Sequence, residues 1–185
     1  MPRTSKRFLV PLVLLAGVAA CVINLNFDVP QTVPVNTPLP PQALPQALPP
    51  IAIDLSQQSE VQQHKSSIDS FALDSLDLAV LQLNPANNVT SISGSIAFRA
   101  ETAPADGSQD VALGNFTLPV TATGTAHLQG NHAVDGLLLN AVKGTGKFSV
   151  ILKVTGVTPQ STSNKADFAL KATMHMALGY NTGIF

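Results

Sequence analysis

The nine residues Phe168–Met176 read FALKATMHM, and their spacing decides the fold class. Phe168, Leu170, Met174 and Met176 share one parity, while Lys171, Thr173 and His175 share the other. Alternation with a period of two puts successive side chains on opposite faces of an extended strand, so one face is core and the other meets water. The same rhythm recurs upstream. Phe148, Val150, Leu152 and Val154 alternate, and so do Ile92, Gly94, Ile96 and Phe98 with Ser93, Ser95 and Ala97 between them.

Two further stretches alternate but slip in phase. Phe71 and Leu73 give way to Leu76, Leu78 and Val80, and then Leu81 and Leu83 reverse the face; Val111 and Leu113 give way to Phe116, Leu118 and Val120. Such slips are what β-bulges produce. Turn-forming residues punctuate the strands at Asn84–Asn88, in the polar loop 101–110 and at 158–165. Seven or eight strands of this kind predict an all-β domain over residues 51–185, an antiparallel β-sandwich (immunoglobulin-like by base rate) or a flattened barrel. One short helix is expected near residues 56–69, with Ser56 as N-cap and Val61 and Ile68 at helical spacing. The run 132–144 (HAVDGLLLNAVKG) fits a buried strand or a short helix equally well.

Composition narrows the function classes. The chain of 185 residues is 45% hydrophobic and 11% charged, against about 25% charged for an average soluble domain. Trp is absent and Tyr180 is the sole tyrosine, which argues against the aromatic platforms that stack sugars or single-stranded nucleic acid. No basic stripe marks a nucleic-acid partner. The single cysteine, Cys21, cannot form an intramolecular disulfide.

Arg3, Lys6 and Arg7 precede thirteen uncharged, mostly apolar residues from Phe8 to Ala20. This is the layout of a secretory signal, and as a helix the run is too short to span a hydrocarbon core of about 30 Å. Val18-Ala19-Ala20-Cys21 then resembles a bacterial lipobox. That resemblance covers the first 21 residues and implies cleavage between Ala20 and Cys21, with the Cys21 thiol carrying diacylglycerol and the new amino group a further acyl chain such as palmitate. It also implies a place in the bacterial cell envelope, with Val22 rather than Asp after the cysteine favouring the outer membrane. The alternatives are an ordinary signal cut after Ala20 and an uncleaved anchor. Without the three leading basic residues, seven basic residues face eleven acidic ones, a net of −4.

Residues 21–50 are expected to be a lipid-anchored spacer. Eight prolines fall between Pro30 and Pro50, and proline lacks a donor and pushes its neighbours toward extended backbone. A semi-rigid tether follows from this composition.

Catalytic constellations are scarce. His127 and His132 are five apart without a nearby thiol or carboxylate in sequence, while His64 and His175 stand alone, so all four read as solvated or locally bonded. No nucleophile elbow or phosphate loop occurs. Asp106, Ser108 and Asp110 alternate as in hard-cation loops, a weak calcium candidate without the closing glutamate, and otherwise a turn. Lys147, Lys153 and Lys171 would share a face if their strands formed a hairpin, giving a patch for an anionic partner. The expected protein is therefore a non-enzymatic, cofactor-free envelope lipoprotein whose partners are the membrane and another envelope protein or lipid. A carrier of an apolar ligand is the alternative, and an envelope hydrolase comes last.

Overall fold

The computed structural model describes residues 21–182; residues 1–20, on which the expected signal segment and its expected cleavage residue Ala20 fall, and residues 183–185 lie outside the described residues. The strands are β1 (Cys21–Pro38), β2 (Gln46–Ala47), β3 (Ile51–Asp54), β4 (Ile68–Leu83), β5 (Ser91–Ala100), β6 (Val111–Pro119), β7 (Thr125–Gln129), β8 (Lys147–Thr158) and β9 (Lys165–Thr182). Two helices join them, α1 (Ser59–His64) and α2 (His132–Lys143).

The alternating sequences form an antiparallel sandwich. One sheet has the order β1-β9-β4-β7, the other β2-β8-β5-β6, with β3 also on β8. Since β2 pairs with the residues around Lys153 and β3 with Lys147–Val150, the two are halves of one interrupted edge strand. Counting them as one gives eight strands in which only β5 and β6 form a sequential hairpin; every other connection passes between the sheets. That is the double Greek-key order of a jelly roll rather than an immunoglobulin order.

Both parities are realised as expected. Phe168, Leu170, Met174 and Met176 are at most 1% exposed and share one core with Phe98, Phe148, Leu152 and Leu118 of the other sheet. Phe98 and Phe148 stack with centroids 5.7 Å apart. The phase slips are bulges: the β4–β9 register shifts between Leu73 and Ser75 and again between Val80 and Gln82. After the second shift Leu81 and Leu83 turn outward, 53% and 38% exposed. A further irregularity falls at Gly94, where β5 runs so close to β8 that an added Cβ would lie 2.1 Å from the Lys153 carbonyl oxygen.

The ambiguous run 132–144 is helical. Asn131 caps α2 by accepting from the Val134 N–H at 3.0 Å, and Val134, Leu138 and Val142, at 0% exposure, form its core-facing stripe. Asp135 in the first turn accepts from the Leu73 N–H at 3.0 Å, a donor that sits at the bulge between Leu73 and Ser75. The expected helix at 56–69 is shorter: α1 spans Ser59–His64 between two 3-10 turns, and Ser56 bonds back to Asp54 instead of capping α1.

The proline-rich stretch differs most from its sequence reading. Residues 21–50 are not a spacer outside the fold: β1 pairs with β9 along its full 18 residues, burying Val29 and Val35. Leu39 and Leu48 are buried in the crossing to the other sheet. The physical reason is parity. In an antiparallel ladder a residue turns its N–H and C=O to one side and the next residue to the other. Pro30, Pro34 and Pro38 all lie at even positions of an edge strand, so their missing donors fall on one side, which must be the solvent side for the ladder to form.

Candidate functional site

Cys21 heads β1 opposite Thr182, and Ile23 and Ile68 both pair with Tyr180. Around this end the chain is closely tied. The His64 ring stacks on Tyr180 at 3.7 Å, the Lys65 ammonium donates to the Gly144 carbonyl at 2.9 Å, and the Leu55 N–H donates to the Gly146 carbonyl at 2.8 Å. Gly146 has φ +80°, a left-handed turn that a side chain would strain. Val22 and Ile23, the next two residues of the strand, are 57% and 38% exposed. Cys21 thus sits at the start of a sheet strand, at the same end as the C-terminus of α2.

Two open clefts adjoin this end. One, about 410 Å³, is lined by Ala52, Ile53, Ala103, Ala105 and Phe148 with Asp54, Arg99 and Ser149. The other, about 450 Å³, runs between α2 and the start of β6, lined by Ala133, Leu137, Ala141 and Val111 with Asn140 and Thr102. Ala100, Glu101 and Lys147 belong to both, so these residues form the shared wall. The Glu101 carboxylate and Lys147 ammonium lie 4.0 Å apart, each about half exposed. Asp54 pairs with Lys147 across the strands, and its carboxyl is held below the usual range first by the Ser56 hydroxyl and N–H and then by the Lys147 charge. Between the sheets, by contrast, the space is filled by the buried core side chains.

The remaining sequence candidates are separated by the fold. Lys147 and Lys153 lie on β8 and Lys171 on β9, which belong to different sheets, so the three do not form one patch. The hairpin that would have joined them does not exist, because in this order consecutive strands alternate between sheets. The loop 101–110 is also built otherwise than around a cation. Asp106 accepts from the Ser108 N–H at 2.9 Å and its hydroxyl at 2.7 Å, while Arg99 grips Asp110 through two bonds of 2.6 and 2.7 Å. A guanidinium placed on one candidate carboxylate opposes a second cation there. Among the described residues, no group of three or more His, Cys, Asp or Glu side chains has the geometry to hold a metal ion.

Sequence reasoning missed one constellation. Asp28, His175, Asp77 and His127 form a chain across all four strands of the first sheet, on its outer face. His175 Nδ1 lies 2.7 Å from Asp28, its Nε2 lies 3.1 Å from Asp77, and His127 Nδ1 lies 2.6 Å from the other Asp77 oxygen. Each of the four occupies the polar parity of its strand, and only the strand order brings them together. His132, on α2, stays apart from His127 and faces Asp135 at 3.5 Å.

No protein-family model and no curated protein matches the sequence. The chain is similar to a solved structure of Desmodium yellow mottle tymovirus, at 12% identity over 99% of each chain with a TM-score of 0.39. It is likewise similar to a semi-empty virus-like particle of the Macrobrachium rosenbergii nodavirus, at 11% identity and TM-score 0.40, covering 98% of this chain and 95% of that one. A decameric BFDV capsid protein follows at 8% identity and TM-score 0.39, covering 85% and 99%. At these scores the likeness carries no argument about function, and the β-sandwich stands on its own strand order.

Proposed function

We propose that this chain is a non-enzymatic lipoprotein of the bacterial envelope, with its β-sandwich held flush against the membrane and its outer faces presented to another envelope component. The single observation that carries the reading is Cys21, the one cysteine, placed after Val18-Ala19-Ala20 behind a short apolar run. Two or three acyl chains, at about 0.8 kcal/mol per buried methylene, make such an anchor effectively permanent. Because β1 starts at Cys21, no stalk separates the lipid from the sandwich. Val22 after the cysteine favours outer-membrane sorting. The core side chains packed between the sheets speak against an internal carrier cavity.

Cys21→Ser tests the anchor. In cells, the variant is expected to lose acyl labelling and to accumulate with its signal segment attached or to leave the membrane fraction. Acylation and membrane retention equal to the wild type would overturn the reading.

A further inference from the structure

Helix α2 carries two apolar stripes, one fully buried and the other covered only in part. Val134, Leu138 and Val142 are fully buried against the sandwich. Leu137, with Ala133 and Ala141 four residues to either side, lines the open cleft, and Gly144 closes the row. Small residues flanking one leucine make this stripe concave. Apolar surface kept wet in this way is stabilised when something apolar covers it. The neighbouring cleft continues the trough with Ile53 and Phe148. Each hollow falls in the size range of small-ligand sites, roughly 300–1,000 Å³.

Asp54, Arg99 and Ser149 add polar groups to one hollow and Thr102, Asn140 and Thr145 to the other, and an ion pair stands where the two meet. Lys147 offers an ammonium and Glu101, 4.0 Å away, offers a carboxylate. A paired cation and anion at one rim match a headgroup that itself bears both signs, phosphate toward Lys147 and ammonium toward Glu101. The place also fits. Lys65 and Leu55 tie Gly144, which lines the α2 cleft, and Gly146, next to Lys147, to the segment that leads into Ile68, and Ile68 shares Tyr180 with Ile23, two residues from Cys21.

We propose that the trough binds one zwitterionic phospholipid of the supporting membrane, an acyl chain lying along the Ala133–Leu137–Ala141 stripe and the headgroup seated on Glu101 and Lys147. The proposal rests on the anchored reading, because an acylated Cys21 brings this end of the sandwich to the bilayer and spares the chain a passage through water.

The test uses the full acylated chain in vesicles of phosphatidylethanolamine and phosphatidylglycerol, with a diazirine in the acyl chain of a phosphatidylethanolamine probe. After irradiation, adducts are expected within 100–111 and 133–147. Ala133→Trp fills the stripe from an exposed position and should lower them roughly tenfold, the effect of displacing a few methylenes. Ala141→Leu is a second filling variant should the first disturb folding by circular dichroism. Glu101→Gln with Lys147→Gln should erase the preference over a phosphatidylglycerol probe. Adducts confined to residues near Cys21, yields indifferent to both filling variants, or equal labelling by the two wild-type probes would overturn the proposal. Flotation with the vesicles separates this from the anchor. Protein that fails to float refutes the anchored reading, and a short-chain form of the same probe then decides the trough, labelling of 133–147 keeping it and none refuting it.

Discussion

His175 stands between two carboxylates, with a ring nitrogen on each. Carboxylates only accept, so both bonds are satisfied together only when both nitrogens carry protons. The bond to Asp28 is the first cause that raises the His175 pKa, and the bond to Asp77 adds to it. Asp77 is lowered in turn, first by its bond to His127. Asp74 lines the same hollow as Asp28 and His175 and adds negative charge. A raised histidine stabilises the fold fully below its unfolded value of about 6.5, and that contribution disappears as pH climbs through the higher native value. The lowered Asp77 works in the other direction: its contribution holds above the unfolded carboxylate value and is lost as pH falls through the native one. The pairs are substantially exposed, so the amplitude is up to about 1 kcal/mol. Thermal unfolding of the wild type is expected to weaken as pH rises from about 6.5, and His175→Gln should flatten that decline. A variant whose pH profile superimposes on the wild type removes the argument.

At the scale of the element, β1 is an edge strand that tolerates proline on one parity alone. Pro34→Thr should leave the pairing intact. Val33→Pro, one position away, takes a donor from the side that faces β9 and should cost about 1–3 kcal/mol through the stranded acceptor. Equal stability of the two variants in urea would show that parity does not govern the strand. The same element shows how far the sequence was legible. Proline density from 30 to 50 predicts a tether, whereas the shared even parity of Pro30, Pro34 and Pro38, equally present in the sequence, is what an edge strand tolerates. The bulges of β4 were legible because each apolar phase slip must match a register shift once one face is buried. Helix α2 was not, since Leu137, Leu138 and Leu139 satisfy both periods until Asn131 and Asp135 find their backbone partners.

For the whole molecule, the boundary of the folded unit follows from β1. A spacer could be removed without harm, but deleting 21–38 strips β9 of its outer neighbour, removes Val29 and Val35 from the core and uncovers the surface they cover. The deletion is expected to abolish cooperative unfolding, and limited proteolysis of the intact chain should spare residues 21–50. A soluble, two-state product lacking 21–38 would restore the tether. Strand order is also what hid the site. The sequence places Asp28, Asp77, His127 and His175 far apart, and it invites Lys153 and Lys171 into a hairpin. Only the alternation of consecutive strands between sheets gathers the first set and scatters the second.

The long β1–β9 ladder also determines how the molecule bears tension. Antiparallel rungs lie across the strand axis. A pull on Cys21 directed along β1 and resisted at the Pro38 end loads the rungs in shear, all at once. A pull that draws Cys21 sideways from Thr182 opens them singly, like a zip. The same strand is therefore a stiff tie lengthwise and a compliant one across. Load reaching the membrane through a partner gripped at the far end would travel through its strong direction.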